Sequence, residues 1–285
     1  MKKYLAIFCL STSLCAYADN APFNMAYVEV SSNKISTAGC YIRTDNNKPF
    51  FDFVSVFAGN INGLNPNKPE IYLNPHVDAI LNSNQISTLQ NKGIKVLLTL
   101  VGNHQNAGWS CMSDENAIKL FANDVVNLVN QYHLDGIDID DEYSRCGPNN
   151  TSVLRIAEAI KSHPGFKGKI LSKALYSDQS DFGSTYNGHK LTDFLDYGWE
   201  MTYDSKNYAD RLSPYAQYGF KKSNLSLGVN ADESPEIAKD SANYILQNNY
   251  GGIMIYDVNT HSRDYLTALA QVEFKTDVNL LPNCE

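Results

Sequence analysis

The chain has 285 residues and an excess of acidic side chains, with 31 Asp and Glu against 23 Lys and Arg and a formal net charge of −8. This charge argues against nucleic acid and anionic surfaces as partners, because both attract basic proteins. The length suits one large domain, and a hydrophobic fraction of 43% is ordinary for a globular enzyme.

The chain begins with a segment that has the three parts of a secretory signal. Lys2 and Lys3 precede a short apolar run at 4–10, and the small residues Ala16 and Ala18 form a cleavage site. The apolar run is too short to span a bilayer. We therefore predict removal of residues 1–18, export to an extracellular or periplasmic location, a single domain at 19–285 and no membrane anchor.

Short apolar runs alternate with longer amphipathic ones in the rest of the chain, which predicts alternating strands and helices. The predicted strands are 25–30, 52–58, 94–101, 136–140, 169–175, 195–203, 225–230 and 252–256. The predicted helices are 77–91, 116–132, 152–162, 235–247 and 263–272. Nearly continuous apolar strands are typical of a parallel sheet that is covered on both faces.

Eight strand–helix units in about 250 residues is the size of a (β/α)8 TIM barrel, which is the predicted α/β fold. The alternative is an open doubly wound sheet, but no Gly-rich phosphate loop follows an early strand. The segments after the fifth and sixth strands have weak helical periodicity, so short or missing helices are expected there. Catalytic residues of such a barrel lie at the carboxyl ends of its strands.

Three acids occupy alternate positions from the fourth predicted strand into the loop that follows it. Asp138, Asp140 and Glu142 share one face, while Ile137 and Ile139 share the other. Neighbouring acids would lie roughly 6.5 to 7 Å apart by strand rise. At least one is therefore expected to hold a proton near neutral pH in a low-dielectric pocket. A protonated carboxyl beside a charged one is the arrangement that general acid catalysis requires.

Two other interpretations of the acidic row are less favoured. A solvated strand face usually includes Lys or Thr and rarely follows a Leu-Asp-Gly-Ile sequence. A calcium loop requires Gly at its sixth position and polar spacers, where this chain has Tyr143 and Ile139. The histidines show no ligand spacing, so neither a metal nor a cofactor is predicted.

Four cysteines remain after removal of the signal segment, an even number in an exported protein. Cys111 follows the third strand and Cys146 follows the fourth, so a disulfide between these adjacent loops is the favoured pairing. Cys40 and Cys284 would then join the start of the domain to its tail. Four free thiols are the alternative.

The sequence Asp-Gly-Ile-Asp-Ile-Asp-Asp-Glu at 135–142 matches the DGxDxDxE motif of glycoside hydrolase family 18. That family includes chitinases and endo-β-N-acetylglucosaminidases. From about residue 26 to residue 267, the chain resembles most the endo-β-N-acetylglucosaminidases of the endoglycosidase H type. The resembling segments are 26–30, 57–62, 93–98, 102–108 and the acidic motif up to Tyr143.

The resemblance implies roles for four residues. Family 18 uses the N-acetyl oxygen of the substrate as its nucleophile and retains configuration. By this resemblance, Glu142 is the general acid and base, Asp140 orients the 2-acetamido group, and Asp138 supports Asp140. Tyr203, at the end of the sixth strand, matches the family tyrosine that hydrogen-bonds the acetamido oxygen.

Further candidates for substrate contact lie at or near the ends of other strands. They are Asn103, His104, Gln105, Trp109, Trp199, Glu200 and Tyr256. The first three are expected either to face the sugar or to hold the loop after the fourth strand. Trp109 is a candidate for stacking on a sugar from its loop, and Trp199 and Glu200 are candidates to face the pocket. Plain core packing is the alternative for Trp199.

The chain departs from the family pattern at two places. The SxGG motif of the third strand appears as Thr99-Leu100-Val101-Gly102, a loose match that leaves its backbone role open. Many chitinases have Trp at the end of the last strand, where this chain has Tyr256. That Trp forms the floor of a sugar subsite, so its absence favours the endoglycosidase over the chitinase.

The sequence therefore predicts an exported, monomeric, metal-independent endo-β-N-acetylglucosaminidase. It would cut the β-1,4 bond between the two N-acetylglucosamines of N-linked glycans, with high-mannose glycans expected. A chitinase acting on chitin oligomers is the alternative. An inactive glycan-binding lectin is less favoured, because such proteins usually lose the acid that this chain keeps as Glu142. The choice among glycan classes lies in loops such as 31–45 and 60–75.

Overall fold

A computed structural model of the chain describes residues 21–203 and 205–282. The predicted signal segment at 1–18 lies outside these residues, as does Cys284 of the second predicted disulfide. In the described part of the chain, no helix is long and apolar enough to cross a membrane.

Strands and helices alternate along the described chain. The strands are β1 (Phe23–Glu29), β2 (Tyr41–Arg43), β3 (Phe53–Asn62), β4 (Glu70–Tyr72), β5 (Lys95–Gly102), β6 (Gly136–Asp140), β7 (Ile170–Leu175), β8 (Tyr197–Glu200), β9 (Leu225–Asn230), β10 (Gly252–Tyr256) and β11 (Val278–Leu280). The helices are α1 (Pro75–Leu81), α2 (Gln85–Asn91), α3 (Glu115–Gln131), α4 (Ser152–Ser162), α5 (Gln179–Gly183), α6 (Tyr208–Gln217), α7 (Pro235–Asn248) and α8 (Arg263–Glu273).

Eight parallel strands form a closed barrel in the order β1, β3, β5, β6, β7, β8, β9 and β10. The ring closes where Phe23 of β1 pairs with Gly252 of β10, and β1 also pairs with β3. The TIM barrel and all eight predicted strands are thus confirmed. Strand β4 adds an antiparallel hairpin to β3, and β2 pairs with β11 outside the barrel.

The helices differ from the predictions in detail. The predicted helix at 77–91 is two helices, because the chain turns between α1 and α2, where the Ser83 hydroxyl donates to the Ile80 carbonyl at 2.7 Å. Helices α5 and α6 follow the fifth and sixth barrel strands. Helix α5 has five residues and is short, as predicted, whereas α6 has ten, close to the 11 of α4 and α8, so neither helix is missing and only the first is short. The first unit has a 3-10 turn, Ile35–Cys40, and β2 between its strands.

Large side chains fill the inside of the barrel below its carboxyl end. Tyr197 and Trp199 of β8 stack at 5.3 Å between ring centroids, and Phe23 and Phe53 meet them edge-on or tilted. Trp199 is fully buried. These rings form a solid floor, so only the upper end of the barrel is available for a ligand.

A buried carboxyl at the amino end of the barrel predicts a pH-dependent stability. Burial raises the pKa of Glu273 to about 8, although Asn24 donates to its Oε2 at 2.9 Å. Its Oε1 is buried with no hydrogen-bond partner among the described residues. Between the ordinary value of 4.5 and about 8, the folded chain holds a proton that the unfolded chain has released. The free energy of unfolding should therefore fall as pH rises through this window.

The substitution Glu273→Gln should remove this fall in the free energy of unfolding with rising pH. Relative to the wild type, the variant should gain stability as pH rises from about 4.5 to about 8, as measured by denaturant unfolding. Glu236→Gln, on the exposed surface of α7, is the matched control and should follow the wild type. An identical pH dependence in Glu273→Gln and the wild type would contradict the prediction.

Candidate active site

The acidic row lies at the carboxyl end of β6, as the alternation of the strand predicts. Asp138 and Asp140 are buried and point into the barrel, while Ile137 and Ile139 pack outward in the main core. Glu142 lies two residues beyond the end of the strand and is partly buried. The row therefore leads from the aromatic floor towards the open end of the barrel.

Asp138 is the innermost acid and is held by four hydrogen bonds. Its Oδ1 accepts from Ser172 Oγ at 2.6 Å and Trp199 Nε1 at 2.9 Å. Its Oδ2 accepts from Tyr27 Oη at 2.7 Å and Thr99 Oγ1 at 3.0 Å. Burial raises the pKa of Asp138 and these hydrogen bonds lower it, with a net rise. A carboxyl with this many partners is fixed in position and has no oxygen left for a ligand.

Asp140, the middle acid, has a buried oxygen without a partner among the described residues. It is 2% exposed, and its Oδ1 has no hydrogen-bond partner among the described residues. Burial raises its pKa well above the ordinary range, and the charges of Glu142 and Asp138 raise it further. A buried, unsatisfied acceptor is costly unless a ligand supplies a donor. Asp140 is therefore suited to accept an N–H or O–H from a bound molecule.

Glu142 carries the third carboxyl of the row, and its backbone is fastened to β5. Burial raises its pKa above the ordinary value, an effect that Lys173 opposes. The amide of Gly102 donates to the Glu142 carbonyl at 3.1 Å. A raised pKa keeps more of this carboxyl protonated towards neutral pH, as a general acid requires. The pKa values of Asp138, Asp140 and Glu142 are all raised, which is the direction that the predicted protonation of one acid in the row requires.

Gly102 allows Glu142 to approach β5 closely, which explains one departure from the family pattern. A Cβ at position 102 would lie 2.4 Å from the Glu142 carbonyl oxygen and 2.5 Å from Ser144 Oγ. Thr99, the first residue of the same four-residue motif, donates to Asp138. The loose Thr99–Gly102 match thus contains a side chain and a glycine that both hold the acidic row.

We expect Gly102→Ala to lower kcat by roughly 100-fold, because a shift of about 1 Å in a catalytic group has effects of that order. KM should change less, since the pocket walls stay in place. Gly147→Ala is the control, because a Cβ there meets nothing within 4 Å. Steady-state kinetics and thermal melting of both variants measure the effect. A folded Gly102→Ala with wild-type kcat would show that Glu142 tolerates displacement.

Tyrosines line the pocket opposite the acids. Tyr203 and Tyr256 stack at 6.0 Å between ring centroids, and Phe57 meets Tyr256 edge-on at 6.0 Å. Burial raises the pKa of Tyr203 well above its ordinary range, and the nearby charge of Asp140 adds to the rise. Tyr203 therefore keeps its proton and can donate a hydrogen bond. Tyr256 lies where a chitinase would have Trp and forms a wall with Tyr203.

The residues after β5 hold the loop that follows Glu142. His104 N donates to the Tyr143 carbonyl at 2.7 Å, and Arg145 N donates to the Gln105 carbonyl at 2.7 Å. His104 and Tyr143 both have left-handed backbones, with φ of 53° and 58°. This conformation is uncommon for residues other than glycine, and residues that adopt it cluster at functional sites. Of the two predicted roles, holding the loop is the one that these contacts fit.

Two side-chain contacts tie the same region to the loop after β3. Asn103 Nδ2 donates to Asn62 Oδ1 at 2.8 Å, and Gln105 Oε1 accepts from Gly63 N at 2.8 Å. The predicted disulfide between Cys111 and Cys146 is present, with 5.6 Å between the Cα atoms. It joins the loops after β5 and β6, so the three loops beside the acids are cross-linked.

Three other candidates do not reach the mouth of the pocket. Trp109 is fully buried, with Nε1 donating to the Leu100 carbonyl, so the prediction that it stacks on a sugar is wrong. Trp199 donates to Asp138 from the barrel floor. Glu200 is paired with Arg211, and its other oxygen accepts from Thr202 N, so both of its oxygens are occupied.

The sequence interpretation missed most of the groups that surround Asp138. Tyr27, Thr99 and Ser172 come from three different strands and donate to the same carboxylate. Each is a polar residue within an apolar strand, which is a usable signal, but the shared target depends on strand register. In residues 21–203 and 205–282, no three His, Cys, Asp or Glu side chains are arranged to hold a metal ion.

Comparisons with known proteins agree with this geometry. Residues 23–234 match the family described as Glycosyl hydrolases family 18. The chain is 34% identical over 257 residues to an endo-β-N-acetylglucosaminidase of Flavobacterium sp. (strain SK1022), a match that covers 84% of this chain and 76% of that protein. It is 28% identical over 233 residues to endo-β-N-acetylglucosaminidase F1 of Elizabethkingia meningoseptica, covering 78% of this chain and 67% of that protein.

A solved structure shares the fold. The crystal structure of Bacteroides thetaiotamicron EndoBT-3987 with a Man5GlcNAc product superposes with a TM-score of 0.76 and 22% identity. The match covers 92% of this chain and 63% of that chain, so this chain spans less than two thirds of the solved protein. At this identity, the likeness shows the barrel architecture.

Proposed function

Since the chain belongs to family 18 of the glycosyl hydrolases, we propose that it is an endo-β-N-acetylglucosaminidase acting on N-linked glycans. The bond cut is the β-1,4 bond between the two N-acetylglucosamines of the glycan core, and high-mannose glycans are the expected class. Two relatives are named endo-β-N-acetylglucosaminidases, and EndoBT-3987 was solved with a Man5GlcNAc product. A product that ends in one N-acetylglucosamine is what cleavage at this bond releases.

The observation that carries the proposal is the unpartnered Oδ1 of Asp140. This oxygen is buried. The charge of Glu142 raises the pKa of Asp140, and the charge of Asp140 in turn raises the pKa of the Tyr203 hydroxyl. A 2-acetamido group offers one N–H donor and one carbonyl acceptor. In this proposal the N–H bonds to Asp140 and the carbonyl accepts from Tyr203. A sugar without the acetamido group would leave the buried carboxyl unsatisfied, so the site favours N-acetylglucosamine.

The proposed mechanism is substrate-assisted and retaining. Glu142 donates its proton to the glycosidic oxygen while the acetamido carbonyl oxygen attacks the anomeric carbon. The bond to the leaving sugar breaks and a cationic oxazoline-like intermediate forms, which the carboxylate of Asp140 stabilises. Glu142, now ionised, takes a proton from water, which attacks the anomeric carbon and restores the acetamido group. Asp138 is held by its own four donors and acts on Asp140 through its negative charge, which helps to raise the pKa of Asp140.

Product masses test the proposal against the alternatives. The protein is incubated separately with a high-mannose glycoprotein and with chitin oligomers. A glycoprotein that keeps one N-acetylglucosamine supports the proposal. Cleavage of chitin alone would make the protein a chitinase, against which Tyr256 argues. Binding without cleavage of either would make it a lectin, against which the complete acidic row argues.

Export is also part of the proposal. The disulfide between Cys111 and Cys146 supports an oxidising compartment, because such bonds are rare in reducing ones. Sequencing the amino terminus of the protein recovered outside the cytoplasm should give a chain that begins at Asp19. A product that keeps residues 1–18 would contradict cleavage at the predicted site.

A further inference from the structure

A buried lysine lies directly behind the acidic row, on the strand next to β6. Lys173 is in β7, where it is the register partner of Ile139, and it is 1% exposed. Its neighbour Ser172 reaches Asp138 inside the barrel, so strand alternation turns Lys173 to the outer side. The Lys173 ammonium is paired with the Asp178 carboxylate and donates to the Ala174 carbonyl at 3.1 Å. A buried lysine outside the pocket requires a reason.

The lysine is surrounded by more negative charge than it balances. Asp178 accepts from Lys173 and from Tyr215 Oη, and the carboxyls of Asp141 and Asp181 also interact with the ammonium. Burial alone would lower the pKa of Lys173, but Asp178 and Asp141 raise it, so the side chain stays charged. Burial raises the pKa of Asp181 to about 7, despite the lysine. The Lys173 ammonium is therefore a single positive charge among three carboxyls, those of Asp141, Asp178 and Asp181.

The same cation acts on the acids of the pocket. In the described part of the chain, Lys173 lowers the pKa of both Asp140 and Glu142, against burial and against neighbouring acids. Several charged or titratable groups interact with Glu142 from the strands and loops around it. They are Asp140, Asp141 and Tyr143 from its own segment, Lys173 and Asp178 from β7 and its loop, and Tyr203 after β8.

We propose that Lys173 is a positioning residue of the reaction, a buried counter-charge that sets the pH range over which Glu142 can give and take its proton. This inference rests on the proposed role of Glu142 as acid and base. Lys173 does not touch the substrate. It acts through its field on Glu142 and Asp140, and Asp178 limits that field by holding the ammonium.

The two partners of the ion pair have opposite effects on Glu142. The positive charge of Lys173 favours the ionised carboxylate, whereas the negative charge of Asp178 favours the protonated form. Because the acid must be protonated in the free enzyme, the alkaline limb of kcat/KM reports its titration together with that of the coupled Asp140. Removing Lys173 should move this limb to higher pH, and removing the charge of Asp178 should move it to lower pH.

The experiment compares pH profiles of kcat/KM for the wild type, Lys173→Met and Asp178→Asn. Each single variant should shift the alkaline limb by roughly one pH unit, in opposite directions, as a nearby unit charge does. The double variant should lie near the wild type, because it removes both charges. It also avoids leaving a buried charge unpaired, so it serves where Lys173→Met fails to fold. A merely structural role would lower activity at all pH values without moving the limb.

Lys161→Met is the matched control. Lys161 forms an ion pair of 2.7 Å with Asp196, which lies at the amino end of β8, away from the acids. Its pH profile should match the wild type. The inference would be overturned by an alkaline limb that stays in place in Asp178→Asn, by one that does not return towards the wild type when Lys173→Met is added to Asp178→Asn, or by shifts in the same direction in both single variants. A wild type that cleaves chitin alone would instead contradict the proposed substrate and leave this test possible on chitin oligomers.

Discussion

Glu142→Gln is expected to lower the rate of glycan cleavage by at least about 10² to 10⁴, the range that general acid–base catalysis contributes. Glutamine keeps the size of the side chain but has no proton to give to the glycosidic oxygen and no charge to accept one from water. The carboxyl of Glu142 is partly buried and makes no hydrogen bond that holds the fold together in the described residues, so folding should be unaffected. Melting temperature and steady-state kinetics check both expectations.

A substrate with an activated leaving group tests whether Glu142 is the general acid. A phenolic leaving group of low pKa departs without protonation, so the first turnover of Glu142→Gln on such a substrate should recover much of the lost rate. Later turnovers should stay slow, because the variant lacks the base that activates water. Loss of the first turnover to the same extent on both substrates would show that Glu142 is not the acid.

Asp140→Asn is expected to lower kcat by roughly 10² to 10³, the usual cost of removing one preorganised electrostatic contact to the transition state. The buried Oδ1 of Asp140 has no partner among the described residues, and the amide of asparagine carries no charge to stabilise a cationic intermediate. The variant should also remove a negative charge that raises the pKa of Tyr203 and Tyr143. The fold should tolerate the change, since like-charge repulsion within the row is reduced.

The activated substrate separates this variant from Glu142→Gln. Asp140→Asn should be slow on both substrates in the first turnover, because positioning of the acetamido group is needed whatever the leaving group.

Asp135→Asn, at the amino end of the same acidic motif, is the control for replacing an aspartate by an asparagine. It bonds to Lys95, Gln90 and the Val96 amide, far from the pocket end of the strand. Wild-type kcat in Asp140→Asn would remove Asp140 from the mechanism.

Much of the fold could be predicted because it depends on local periodicity. All eight barrel strands, the helices at 116–132 and 152–162 to within a residue, and the disulfide between adjacent loops follow from patterns of spacing in the chain. The sequence pattern does not predict the break between α1 and α2, because the apolar spacing of 77–91 continues across it. Trp109 was assigned to the pocket on its residue type, but its burial depends on packing against α3.

The acidic row itself was determined by the sequence. Alternation in a strand places Asp138 and Asp140 on one side whatever the rest of the chain does, since the period of two is a property of the extended backbone, and Glu142 lies two residues beyond the end of β6. Only the tertiary structure decided how these three acids differ. Asp138 is satisfied by donors from four other strands, the Oδ1 of Asp140 has no donor among the described residues, and Lys173 lies on the adjacent strand β7. These differences arise from barrel closure and register, which join residues up to 111 positions apart in sequence and which no local pattern encodes.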